Sequence, residues 1–135
     1  MASADTLRVR AGTAELARVR RRVEAWAQAA RLDARPAAQL RLAVDEAVAN
    51  AIEHGIADGA LLVVRGAPGR GRLTVTVRYR GARFDPTAAR FPSRDRSLRE
   101  RAAHGYGLHL IRLVDDVAYR WDDGSNELRL TARNG

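Results

Sequence analysis

The stretch AVDEAVANAIEHG, residues 43–55, combines a helical apolar pattern with a row of polar side chains. Its apolar residues recur at three- and four-residue spacing, which predicts an amphipathic helix with one face packed on a core. Glu46, Asn50 and His54 follow at four-residue intervals, so a regular helix would place them in one line. This line is either an ordinary solvated face or the floor of a site, and the stretch alone leaves both readings open.

The three polar side chains of this row differ in the chemistry that they offer. The amide oxygen of Asn50 is a ligand that a hard cation such as Mg²⁺ accepts. The carboxylate of Glu46, one turn earlier, could take a proton from an attacking hydroxyl. His54 stands at the helix end, where a histidine more often interacts with the helix dipole than with a ligand.

Length and composition limit the classes of protein to which the chain can belong. It has 135 residues and no cysteine, which predicts a single domain over residues 1–135 and excludes disulfides, thiolate metal sites and a cysteine nucleophile. The first ten residues lack the apolar region of a signal peptide, and the apolar run at 59–64 is too short to cross a bilayer. We therefore expect a cytoplasmic protein without membrane association.

The positive charge of the chain comes from arginine alone. The net charge is +8, and all 24 basic residues are arginines, so lysine catalysis and a Walker A loop are excluded. Such a balance suits an acidic partner. The arginines are nevertheless spread along the whole chain, and only three tyrosines, two phenylalanines and two tryptophans are present. This distribution argues against direct nucleic-acid binding and indicates that most of the excess is solvated surface.

Hydrophobic periodicity predicts strands that pair in hairpins on either side of a helical region. The predicted elements are a strand at 6–11, a helix from Thr13 to near 32–33, a helix from Pro36 to Gly55, strands at 60–66 and 72–80, a glycine turn entering a helix from 105, and strands at 117–121 and 127–133. The segments APGRG and DDGSN predict the two hairpin turns. We expect an α+β two-layer sandwich, with helices on one face of a mixed, largely antiparallel sheet.

Two further segments favour a phosphate site over a plain surface. Residues 81–104 have little apolar periodicity apart from a short helix expected within 97–103, and a connection of this length is typical of a lid or binding loop. Its arginines could fold over phosphate oxygens, although a solvated loop is an equal alternative. In HGYGLHL, residues 104–110, two glycines before a helix would let backbone N–H groups approach a phosphate.

Taken in order, three segments resemble the ATP-binding domain shared by gyrase, histidine kinases and MutL, the GHKL superfamily with its Bergerat fold. DEAVANAIEHG resembles the N-box, YRGARFDP the first glycine box, and GYGLHLIRLVDDV the second glycine box. Within that superfamily the chain is most similar to the anti-sigma-factor serine/threonine kinases of the RsbW and SpoIIAB type. The resemblance extends over nearly the whole chain.

The resemblance implies a role for each matching position. Glu46 would be the general base for a serine or threonine hydroxyl, and Asn50 would coordinate the Mg²⁺ that bridges the ATP phosphates. Residues 86–104 would form the ATP lid. The other nucleotide-binding positions would be Gly81, Arg83 and Asp85 in the first glycine box, and His104, Gly105, Tyr106, Gly107 and Leu108 in the second.

The same resemblance implies partners. Members of the family bind ATP and Mg²⁺, sequester a sigma factor and phosphorylate an anti-sigma antagonist of the STAS type, usually as homodimers. The chain would thus be an ATP-dependent protein serine/threonine kinase in a partner-switching system.

The first glycine box departs from the family pattern. Tyr79 stands where the family has an aspartate that accepts a hydrogen bond from adenine, and Arg83 replaces a glycine; Asn126 stands where relatives often have threonine. Losing a hydrogen bond to a charged group would weaken binding roughly 10- to 100-fold. The alternative is therefore a non-catalytic, anti-sigma-like protein-binding module with weakened or lost ATP binding.

Overall fold

The computed structural model describes residues 3–10, 12–87 and 110–135. Helices α1 and α2 are Thr13–Ala29 and Ala34–Asn50, and α2 continues into one π turn, Ala51–Gly55. The strands are β1 (Asp5–Val9), β2 (Leu62–Gly69), β3 (Arg72–Arg80), β4 (Asp116–Asp122) and β5 (Ser125–Arg133). Both helices pack on the same face of the sheet, which confirms the predicted α+β two-layer sandwich.

The sheet has the strand order β1-β2-β3-β5-β4. Every pairing among the described strands is antiparallel, so this part of the sheet is more regular than the mixed sheet expected. Inward residues such as Val75 and Leu130, which pair across β3 and β5, are fully buried. Their alternation with polar residues follows from the two-residue period of a strand and matches the sequence pattern.

The two predicted hairpins are present, with tighter turns than the composition indicated. β2 and β3 are joined through Arg70 and Gly71, and β4 and β5 through Asp123 and Gly124. Asp123 and Gly124 have φ of 50° and 78°. Two successive residues with positive φ are typical of the two-residue turn whose twist matches that of the strands, and Asp-Gly is a preferred pair there.

The core is built from the inner face of the sheet and one side of each helix. From α1 it takes Val19, Val23 and Trp26, and from α2 mainly Leu40, Val44 and Val48, all less than 5% exposed. The Trp26 ring packs on β2 at Gly66, where a Cβ would come within 2.1 Å of it. Its indole N–H donates to Asp5, at 3.1 Å.

The turn between the helices differs from the prediction. α1 ends at Ala29 rather than near 32–33, and α2 begins at Ala34, two residues before Pro36. Pro36 costs no hydrogen bond because N–H groups of the first helical turn have no partner in the helix. The Asn134 amide fixes the turn: it accepts from the Asp33 N–H at 2.7 Å and donates to the Arg31 carbonyl at 3.0 Å.

Some predicted elements lie outside the described residues. These are the helix within 97–103, most of the lid at 86–104, and the glycine turn with the start of its helix. Only the helix end is described, where Leu110 and Ile111 are helical and Ile111 is fully buried. In the described ranges, no helix has the length and apolarity that crossing a bilayer requires.

Candidate functional site

α2 ends in a wider turn than the sequence pattern predicts. Over Ala51–Gly55 the chain forms a π turn, closed by a hydrogen bond of 2.8 Å from the Ile56 N–H to the Ala51 carbonyl. Single π turns inside or at the end of α-helices are frequent at functional sites. The changed pitch redirects the side chains that follow Asn50, so the predicted line from Glu46 through Asn50 does not continue regularly to His54.

The end of β3 docks on this π turn through backbone contacts. The Ala57 N–H donates to the Arg80 carbonyl at 2.8 Å, and the Ala82 N–H donates to the Gly55 carbonyl at 3.1 Å. Gly81 lies between them, and a Cβ on it would be 1.7 Å from the Gly55 oxygen. The structure thus brings the predicted N-box end and first glycine box together, and Gly81 is needed for that close approach.

Asn50 is the one polar residue among the buried residues of α2. It is 3% exposed, and its amide nitrogen has no hydrogen-bond partner among the described residues. A buried amide group left without a partner costs about 1–3 kcal/mol, so such groups are rare and call for a reason. Glu46 lies half-buried one turn earlier, close enough in helical spacing to share this site.

His54 contacts the first glycine box rather than continuing the row of Glu46 and Asn50. Its ring stacks on Phe84, with centroids 5.1 Å apart and planes 18° from parallel. Its Nε2 lies 3.5 Å from the Glu53 carboxylate. The stacking explains why a histidine stands here, and it holds the segment after Gly81 against the π turn.

Tyr79, the residue in place of the family's aspartate, is 6% exposed. A Cβ on Gly55 would lie 2.8 Å from its Cε2 and 3.0 Å from its hydroxyl oxygen, so the ring fills the space that this glycine leaves. Burial raises the pKa of Tyr79 to about 12. Near neutral pH this position therefore carries a neutral phenol, where a carboxylate would be negatively charged.

Asn126 holds the first glycine box in place, a role that sequence reasoning missed. It is 1% exposed; its amide oxygen accepts from the Phe84 N–H at 2.9 Å and from the Tyr119 hydroxyl, and its amide nitrogen donates to the Ala82 carbonyl at 2.8 Å. Asn126 pairs with Tyr79 across β3 and β5. That register is the signal that could have revealed it.

The other predicted residues of the first glycine box have separate positions. Asp85 accepts from the Thr87 N–H at 2.8 Å and from the Thr87 hydroxyl at 2.6 Å, which forms a local turn where the predicted lid begins. Arg83 is exposed and lies near Tyr119. Burial raises the pKa of Tyr119, and the positive charge of Arg83 partly offsets this effect.

The two described segments on either side of residues 88–109 are in contact. The Arg112 guanidinium donates to the Thr87 carbonyl, and Ile111 is part of the core. The stacked His54 and Phe84 connect the π turn with the segment that leads to Thr87, where the predicted lid begins. The Arg112 contact then connects Thr87 with the end of the predicted glycine-turn helix. The predicted phosphate-binding residues of the second glycine box, His104, Gly105, Tyr106, Gly107 and Leu108, lie outside the described residues.

The described residues fit a magnesium–phosphate group better than a metal held by protein alone. In the ranges 3–10, 12–87 and 110–135, no three His, Cys, Asp or Glu side chains form a metal site. Mg²⁺ usually takes only one or two protein ligands and binds phosphate and water oxygens as well. The buried Asn50 amide suits that sparse role, whereas Tyr79 presents a neutral phenol in place of a carboxylate.

Comparisons with known proteins agree with this architecture. A family model described as "Histidine kinase-like ATPase domain" matches residues 9–132. The serine/threonine-protein kinase BtrW of Bordetella bronchiseptica is 33% identical over 98 residues, which are 70% of this chain and 69% of that protein.

Among solved structures, the RsbU and RsbW domains of Rv1364c from Mycobacterium tuberculosis match with a TM-score of 0.68 at 23% identity. The match covers 98% of this chain and 32% of that chain. At this level of identity it shows the shared fold.

Proposed function

Because the chain belongs to the histidine kinase-like ATPase domain family, we propose that it is an ATP-dependent protein serine/threonine kinase. The proposal extends to its role: it sequesters a sigma factor and phosphorylates a STAS-type antagonist in the cytoplasm, as a homodimer. The similarity to a relative named as a serine/threonine-protein kinase supports the activity. The observation that carries the proposal is the buried amide of Asn50, with an unpartnered nitrogen among the described residues, one turn after Glu46.

Each residue of the α2 end has a distinct task in this proposal. The Asn50 amide oxygen would hold the metal, and the Glu46 carboxylate would accept the proton of the substrate serine or threonine hydroxyl. Bound Mg-ATP would supply the phosphoryl group and neutralise charge that develops during its transfer. Gly81 and Asp85 position the first glycine box, and residues 104–108 keep the phosphate-binding role that the resemblance assigns to them.

Contacts around the site support a cleft at this place. The π turn contacts the first glycine box through backbone hydrogen bonds and through the stacking of His54 on Phe84. Asn126 of β5 accepts a hydrogen bond from the same segment. The Arg112 contact to Thr87 draws the described end of the second glycine box to the same side.

Calorimetry and a phosphate-transfer assay test the proposal together. We expect the chain to bind Mg-ATP and to transfer the terminal phosphate to its antagonist. Glu46→Gln should keep nucleotide binding and lower the transfer rate by about 10²- to 10⁴-fold, the usual contribution of a general base. Gln28→Ala, a change of an exposed residue on α1, is the matched control and should leave both unchanged. Absence of Mg-ATP binding at millimolar concentration would refute the kinase.

A second candidate is a protein-binding module without nucleotide chemistry. It is favoured by the Tyr79 ring packed on Gly55 and by Asn126, whose amide already bonds to the protein. In that case partner binding would be unchanged by ATP and by Glu46→Gln. Tyr79→Asp separates the two candidates, because restored Mg-ATP binding in this variant alone would show that the phenol had closed a once-functional pocket.

A further inference from the structure

The face of the sheet opposite α1 and α2, called here the outer sheet face, carries a group of exposed arginines. The inward residues of β1 to β3 alternate with residues that point the other way. Five of these are the exposed Arg8, Arg65, Arg72, Arg78 and Arg80. The strand pairing groups Arg8, Arg65, Arg78 and Arg80 on neighbouring strands, and Arg72 lies farther along β3 beside the hairpin turn.

In the pairing of β1, β2 and β3, β-branched residues lie between these arginines. Arg65 stands between Thr6 of β1 and Thr76 of β3, and Val63 stands between Arg8 and Arg78. Between β1, β2 and β3 no arginine directly faces another, whereas across β3 and β5 Arg72 faces Arg133 and Arg78 faces Glu127. β1, β2 and β3 thus place no carboxylate of their own on this face, and the nearest one in the strand pairing is Glu127 of β5.

The arginines of the helix layer are arranged differently. Four of them have carboxylate partners: Arg18 with Glu15, Arg20 with Asp45, Arg22 with Asp5, and Arg41 with Glu24. On β4 and β5, Arg120 and Arg129 pair with Glu127 and Arg133 pairs with Asp116. For the five arginines on β1 to β3, the part of the chain that the structure describes supplies no ion pair.

We propose that the outer sheet face on β1 to β3 is a docking surface for an acidic protein partner. Positive charge that the fold itself does not neutralise is complementary to a negative surface on another protein, and such complementarity sets specificity and association rate. The proposal needs no nucleotide, so it can hold or fail independently of the kinase activity.

A second copy of the chain does not suit this surface. A two-fold dimer that used the outer sheet face on both subunits would bring the same basic patch against itself, arginine against arginine. Such like-charge contacts oppose association. A homodimer is therefore expected to use another part of the molecule.

Nucleic acid suits the surface less well than an acidic protein. Single strands bind through bases stacked on aromatic rings, and no residue of the outer sheet face on the described strands is aromatic. A duplex that extended across the sheet would also meet Asp116, Asp122 and Glu127 on β4 and β5. A protein with a localised acidic patch can cover β1 to β3 and avoid Asp116 and Asp122 on the edge strand, with Glu127 at the margin of the contact.

The test uses a short polyglutamate peptide as the probe, with amide NMR shifts to map its site and fluorescence to measure affinity at two salt concentrations. We expect shifts confined to β1, β2 and β3. The double variant Arg65→Glu, Arg78→Glu should bind the peptide at least about tenfold more weakly, and added salt should weaken wild-type binding. Arg65→Gln, Arg78→Gln provides a milder pair if charge reversal impairs folding, which a thermal melt would reveal.

The matched control reverses the same number of charges in the helix layer. Arg21 and Arg35 are exposed, and no ion pair is found for them among the described residues. Arg21→Glu, Arg35→Glu should leave peptide affinity within about threefold of wild type. Equal losses in both double variants would mean general attraction by net charge and overturn the proposal. So would tighter binding of a duplex DNA of equal charge at the same face.

Discussion

Three buried polar residues near the end of α2 differ in how their hydrogen-bonding groups are used. Asn126 bonds through both its oxygen and its nitrogen, and the raised pKa keeps Tyr79 neutral. Asn50 alone has a buried nitrogen that the described residues leave without a partner. Buried polar groups that have hydrogen-bond partners in the protein stabilise the fold. A buried polar group without a partner lowers stability and is retained for another reason. At the residue scale, this contrast separates the structural asparagine from the candidate ligand.

Asn50→Ala should separate stability from binding. Removing the amide ends the cost of its unpartnered nitrogen, which offsets the small cavity, so we expect the free energy of unfolding to change by less than about 1 kcal/mol. Magnesium-dependent ATP binding should be lost. Urea denaturation and calorimetry measure the two effects. A destabilisation as large as that of Asn126→Ala, which breaks three hydrogen bonds, would assign Asn50 to the fold instead.

Tyr79 should make the protein sensitive to alkali. Its pKa is raised from 10.0 to about 12, so the folded chain keeps the phenolic proton over a range where the unfolded chain releases it. Stability then falls as pH rises between these two values. Tyr79→Phe has no such proton, and its free energy of unfolding relative to wild type should rise across this range.

Urea denaturation of both proteins below the first of these pH values and near the second measures this difference. The comparison cancels the titration of groups that do not interact with Tyr79; Tyr119, whose charge contributes to the raised pKa of Tyr79, is the exception. A constant difference between the two proteins at all pH values would contradict the buried, neutral phenol.

At the scale of elements, the junction of α2, the π turn and β3 joins two of the predicted motifs. Its backbone bonds leave no room for a side chain at Gly81, because a Cβ there would be 1.7 Å from the Gly55 oxygen and 2.7 Å from the Gly55 carbon. These are backbone atoms, which cannot turn aside as a flexible side chain can. The junction therefore either opens or distorts when Gly81 is replaced.

Gly81→Ala should consequently destabilise the protein by about 3 kcal/mol, in the upper range for single substitutions. The control is Gly12→Ala at the N-cap of α1, where a Cβ meets nothing within 4 Å. Its cost should be about 1 kcal/mol, because alanine is a poorer N-cap residue than glycine. Chemical denaturation compares them. Similar costs for the two variants would show that β3 is not tightly docked on the π turn.

Local signals predicted the elements, and long-range contacts account for what was missed. The alternation of β3 and the Asp123-Gly124 turn are properties of neighbouring residues, so the sequence pattern was sufficient for them. The π turn was not foreseen because β3 docks there from more than twenty positions away in the chain. Asn126 was undervalued for the same reason, since its partners Ala82 and Phe84 are neighbours only through the pairing of β3 and β5. The glycine-turn residues His104 to Leu108 stay predictions.

At the scale of the whole molecule, the two layers of the sandwich handle positive charge in different ways. Four arginines of the helix layer have carboxylate partners, whereas those of the outer sheet face on β1 to β3 have none among the described residues. Among the described residues, the pairing of positive charge therefore differs between the two layers. This asymmetry makes the two faces of the sandwich suited to different contacts.

Self-association should consequently be independent of the outer sheet face. In sedimentation experiments on the proposed homodimer, we expect the dissociation constant of Arg65→Glu, Arg78→Glu to lie within about threefold of wild type at low and high salt. If instead the dimer were formed by two outer sheet faces, reversing two charges would replace repulsive pairs with attractive ones, and salt would screen the repulsion of the wild type. Tighter dimers in the variant, or in wild type at high salt, would therefore place the second copy on this face. This conclusion requires that the control Arg21→Glu, Arg35→Glu does not also form tighter dimers.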